Sequence, residues 1–144
     1  MKTYQTYALG FPITIVNPKF KTVKGIEILD LDFNALSKIA FRAILKKPNR
    51  LTGGEIKFIR NFLKMTQCEF AEEMGLRGHS QVSRWEKFPN KPTKMEPQQE
   101  YIIRLKASRI HKMRITNEMI DIFDLIRKSN SYGEPLKINS KEVA

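Results

Sequence analysis

Residues 66–86 read TQCEFAEEMGLRGHSQVSRWE. Thr66 opens a helix in which Phe70, Ala71 and Met74 fall at the spacing of one inward face, and Gly75 stops it. A second helix, roughly His79 to Lys87, turns Val82 and Trp85 inward. With those two committed to a core, Ser80, Gln81 and Arg84 project outward and Ser83 lies at the edge. Ala71 is small where the two helices must cross closely. The result is a pair of short helices joined by a tight turn, the second polar on its outer side.

The elements on either side are consistent with a mainly α chain carrying a small N-terminal β-region, an α+β class. Thr52-Gly53-Gly54-Glu55 has capping-box spacing, and Ile56, Ile59, Phe62 and Leu63 form the apolar stripe of the helix it opens. Beyond the pair, Pro89 and Pro92 mark a loop. A helix over about 96 to 114 places Ile102, Leu105, Ile110 and Met113 at helical spacing, and another over about 117 to 128 does so with Met119, Ile122, Phe123 and Ile126. Residues 129–144 carry no period and read as a mobile tail. In the N-terminal part, Ile13 to Val16, Phe20 to Val23 and Ile26 with Ile28 read as short strands of one small antiparallel sheet, with turns at Asn17-Pro18 and Gly25. Asp32 then caps a helix containing Leu36, Ile39, Ala40, Ala43 and Ile44, which Pro48 ends. Three segments follow: a β-sheet-plus-helix module over 1–50, a helical domain over 51–128, and the tail.

Charge narrows the partner. Lys and Arg number 26 against 15 Asp and Glu, for a formal charge of +11, so a polyanion is the expected ligand. The single cysteine excludes an internal disulfide, and with only two histidines an all-Cys/His tetrahedral zinc site cannot be assembled within one chain. Neither a signal peptide nor a run approaching the ~20 apolar residues of a membrane span is evident, which gives a cytoplasmic expectation with no membrane partner. No phosphate-cradling Gly loop, HExxH or Gly-x-Ser-x-Gly elbow is present, so no catalytic residues, metal or cofactor are expected.

Thr66-Gln67, Phe70-Ala71, Met74-Gly75, Val82 and Ser83-Arg84-Trp85-Glu86 resemble the helix-turn-helix of the lambda-repressor/Cro, or xenobiotic-response-element, family over about residues 51 to 110. The stretch LRGHSQVSR between Gly75 and Trp85 is one residue longer than in common members. The resemblance implies a five-helix lambda-repressor-like domain whose second helix of the pair lies in the DNA major groove. It implies a transcriptional regulator, a dimeric repressor on a palindromic operator in double-stranded DNA. Base contacts then fall to Ser80, Gln81, Arg84 and His79, since Gln suits adenine and Arg suits guanine. Phosphate contacts fall to Gln67, Ser83, Lys87, Lys91 and Lys94. Other roles stay open: Ser80 as an N-cap, the three lysines as a solvated loop, His79 as an incidental surface residue, Glu86 as an intramolecular partner.

The order of elements, FPITIVNPKFKTVKGIEI before LTGGEIKFIRNFLKMTQ, is similar to MqsA-type antitoxins and related regulators found with toxins. That likeness implies the alternative function, a type II antitoxin that sequesters a toxin and autoregulates its operon. The paired cysteines through which such N-terminal modules often bind zinc are absent. Residues 1–50 could equally brace the DNA-binding domain, help it dimerise, or extend its basic footprint.

Overall fold

The computed structural model describes residues 2–91, 93–114, 116–128 and 135–143. Four short strands open the chain: β1 (Thr3–Thr6), β2 (Ile13–Val16), β3 (Phe20–Val23) and β4 (Ile26–Leu29). Six helices follow: α1 (Phe33–Lys46), α2 (Gly53–Phe62), α3 (Gln67–Glu73), α4 (His79–Glu86), α5 (Pro97–Ile110) and α6 (Asn117–Lys128). A last strand, β5 (Leu136–Asn139), leads into a 3-10 turn at Ser140–Val143. The fold is mixed α and β.

The expected single antiparallel sheet is instead two. β1 pairs antiparallel with β2, and β2 pairs in parallel with β5, placing Ile15 opposite Ile138. β3 and β4 form a separate antiparallel hairpin. Its two-residue turn has Lys24 and Gly25 at φ 51° and 78°, the pair of positive values that lets a tight hairpin follow the strand twist. The tail expectation is corrected at 136–143, since those residues form β5 and the closing turn; residues 129–134 lie outside the described residues. The physical reason is burial: Ile13 and Ile15 on one face of β2 are fully buried, and β5 extends that face with Ile138, buried opposite Ile15.

The helices begin and end where local chemistry dictates. The Asp32 carboxylate accepts the Asn34 and Ala35 amides at 3.0 and 3.2 Å and starts α1. Capping boxes start α2 and α3 at Thr52 and Thr66. At the end of α3, Gly75 takes φ 74°, its amide donating to the Glu72 carbonyl and that of Leu76 to the Ala71 carbonyl at 3.1 and 2.8 Å. This paired closure leaves the chain turned back toward the core.

Residues 1–50 and 51–128 share one core. Phe11 meets Phe58 edge-on with ring centroids 5.2 Å apart, and Phe41 stacks on Phe62 at 4.1 Å. The α5 stripe is rotated from its expected register: Ile102 is exposed, while Glu100, Ile103, Arg104, Ala107 and Ser108 are buried. Charge sets this register. Arg104 donates to the carbonyls of Leu45, Lys47 and Asn49, closing the C-terminus of α1, and pairs with Glu100 at 3.2 Å. Glu100 also accepts from Arg50 and from the Leu51 amide, so the Arg50 side chain is held inside. Three acidic residues are thus interior: Glu55, Glu86 and Glu100 are all buried and paired.

Candidate nucleic-acid interface

The α3–α4 pair is fixed from beneath. Phe70, Ala71, Val82 and Trp85 are all buried, so α4 cannot roll without opening the core. Thr66 and Glu69 exchange side-chain-to-amide hydrogen bonds at 3.1 and 3.0 Å. Those bonds hold the Glu69 carboxyl below the usual carboxylate range. At the far end of α4, Glu86 accepts two bonds from the Arg60 guanidinium of α2, which raises the Arg60 pKa further above its ordinary value.

A glycine pair locks the same end. A Cβ on Gly53 would stand 2.2 Å from the Trp85 carbonyl oxygen and 2.7 Å from that of Phe88; one on Gly54 would stand 2.6 Å from the Gly10 carbonyl oxygen. The Gly54 amide donates to Pro89 at 2.9 Å. The start of α2, the end of α4 and the Gly10 turn therefore meet backbone to backbone, an approach that only glycine permits.

What remains outside is polar. His79, Ser80, Gln81, Ser83, Arg84 and Lys87 are all exposed. Ser80, Gln81, Ser83 and Arg84 make no side-chain hydrogen bond or ion pair among the described residues. Three shallow hollows run over this face. The first is bounded by Arg77, Ser80, Gln81 and Arg84 with the turn backbone. The second gathers Lys57, Gln67, Ser83, Arg84, Glu86 and Lys87. In the third, Gln81 and Arg84 meet Lys87, Phe88, Thr93 and Lys94. Arg84 borders all three.

Most sequence-selected residues are brought together here. Ser80, Gln81 and Arg84 share one hollow, Gln67, Ser83 and Lys87 another, and Lys94 joins from the following loop. Ser80 is not the N-cap of α4; Gly78 holds that position, with no side-chain capping bond. Gln67 spends one amide hydrogen on Glu86 at 3.3 Å, which orients the group and leaves its second hydrogen for an outside acceptor. His79 lies at the first helical position but lines none of these hollows, and Lys91 reaches the site only by lying 5.1 Å from the Phe88 ring centroid. Lys57, Arg77 and Phe88 were not selected from sequence. Lys57 carries a weak signal, standing on α2 beside the apolar stripe and off its inward face.

Chemically, the face offers an amide, two hydroxyls and a guanidinium between flanking ammonium groups. That combination suits base edges bordered by phosphates. Among the described residues no cluster of His, Cys, Asp and Glu is placed to hold a metal ion, and no helix is long and apolar enough to cross a membrane. Neither a family model nor a curated protein nor a solved structure matches the chain.

Proposed function

We propose that the protein is a sequence-specific double-stranded DNA-binding transcriptional regulator, with α3 and α4 as a lambda-repressor-like helix-turn-helix and α2–α6 as its five-helix domain. The observation that carries this reading is the contrast between the two sides of α4. Val82 and Trp85 are fixed in the core, while Gln81 and Arg84 stand unbonded outside at the meeting of three hollows. Gln81 and Arg84 read adenine and guanine edges, each pairing worth about 1–3 kcal/mol of discrimination. Gln67, Ser83, Lys57 and Lys87 take the phosphates alongside.

In this reading the working form is a dimeric repressor. The exposed apolar side chains Ile102 of α5 and Ile120 and Leu125 of α6 are available for contact with a second copy. Two-fold symmetry then sets the recognition helices about 34–36 Å apart on a palindrome. Selection of DNA from a random pool, with the stoichiometry of the complex, tests the proposal. A palindromic consensus bound by two chains supports it; no enrichment over random DNA at moderate salt overturns it.

One observation favours a second reading, an antitoxin that also holds a toxin. Val23, Ile26 and Ile28 share one face of the β3–β4 hairpin and are all exposed. Co-purification of the product of a neighbouring gene, lost in Ile26→Asp, tests this alternative.

A further inference from the structure

We infer that Phe88 is a specificity-determining residue of the same interface, an apolar contact for the 5-methyl group of thymine beside the bases read by Gln81 and Arg84. The inference rests on the DNA reading above.

The Phe88 ring is 51% exposed and lines the hollow shared with Gln81, Arg84 and Lys94. Its backbone is held on both sides. The Phe88 carbonyl lies against Gly53 and accepts the Lys91 amide at 3.2 Å, and the Pro89 carbonyl accepts Gly54 at 2.9 Å. A large apolar side chain is thus presented to the outside from an anchored chain. Rigid presentation lowers the cost of ordering the group on contact.

Its neighbours identify the occupant. The ammonium groups of Lys87 and Lys91 lie 5.6 and 5.1 Å from the ring centroid, and Lys94 borders the same hollow. The core of a protein–protein interface is depleted in lysine. A ring surrounded by lysines instead matches a partner that is anionic at its rim and apolar at one point within. The DNA major groove has both properties, with phosphates at its edges and the thymine methyl group as its apolar feature; Phe is one of the side chains suited to that methyl. Burying one such carbon is worth about a four-fold change in affinity per half-site.

The test uses the full chain and duplexes it selects from a random pool. Thymines are replaced one at a time by deoxyuridine, which removes the methyl group and keeps the pairing. The native chain is expected to lose about four-fold per half-site at one thymine position. Phe88→Ala should bind the thymine and uracil duplexes equally, with the salt dependence unchanged, and Phe88→Leu should keep part of the difference. Thermal melting checks that both variants fold. An equal thymine-over-uracil preference in native protein and Phe88→Ala overturns the inference, as does indifference of the native chain at every thymine. Failure of the native chain to select any DNA overturns the DNA reading itself.

Discussion

Arg60 of α2 grips Glu86 of α4 with two parallel bonds, Nε to Oε2 at 2.7 Å and Nη2 to Oε1 at 2.8 Å. Both side chains are largely shielded from solvent, at 12% and 5% exposure, so each charge is balanced mainly by the other. The same guanidinium donates to the Met65 carbonyl at 2.9 Å, just before α3 begins. One ion pair therefore ties together the three helices that present the polar face.

Breaking this pair from one side should be costly. Glu86→Ala leaves the partly buried Arg60 charge without its partner and should lower unfolding free energy by about 1–3 kcal/mol. Adding Arg60→Ala to that variant should cost much less than the sum of the single changes. Urea denaturation of the four proteins measures the coupling. Strict additivity would show that the two groups do not act as a pair.

The glycine pair at the start of α2 makes a steric prediction. Gly53→Ala sets a methyl group against two backbone carbonyls that cannot swing away, and should destabilise by about 1–3 kcal/mol. Gly78→Ala is the control, because nothing lies within 4 Å of its Cβ position and its backbone is extended. Its effect should stay below about 1 kcal/mol, the cost of Ala in place of Gly at an N-cap. Equal melting temperatures for the two variants would contradict the close approach.

Roles on the polar face separate by salt. Arg84→Ala should remove preference for the selected sequence while leaving binding to random DNA largely intact. Lys57→Ala should weaken both alike and reduce the slope of log affinity against log salt by about 0.9. Binding isotherms at several salt concentrations distinguish these outcomes. A uniform loss for Arg84→Ala would reassign it to the phosphates.

The Thr66–Glu69 capping box predicts an acid sensitivity. The folded Glu69 carboxyl titrates below its ordinary value, so its contribution to stability is complete above about pH 4.3, the unfolded value. It declines as pH falls from there and is gone below the folded value. Stability of Glu69→Gln measured against pH should approach that of the native protein as pH drops through this window. Parallel curves for the two proteins would show that the bond to Thr66 does not shift the titration.

The α3–α4 pair was legible because its signals are local. Thr66, Gly75 and the spacing of Phe70, Ala71, Val82 and Trp85 act within a few residues, and the helices lie where those residues place them. Glu86 was legible as an intramolecular partner, although the identity of Arg60 was not. Three features lay beyond reach, each for a reason of distance. The burial of Arg104 depends on carbonyls more than 50 residues earlier, so a charged residue mid-helix looks like a solvated one. Phe88 carries no periodic signal in its loop, and its importance arises only when Gly53 fixes the backbone beneath it. β1 and β5 are four-residue strands, the first without a buried side chain, and neither has enough alternation to declare itself.

The parallel pairing of β2 with β5 also has a consequence for how the chain is made. The Ser140 hydroxyl reaches the Asn17 carbonyl across 123 residues of sequence, the seam that closes the sheet. During synthesis β2 precedes its partner and must wait with that edge unpaired until the ribosome has released residue 138. Contacts this distant form late, because the loop they close is long and its ordering precedes any gain from burial. While the residues between β2 and β5 are being added, the nascent protein therefore carries a sticky strand edge available to chaperones or to a neighbouring chain.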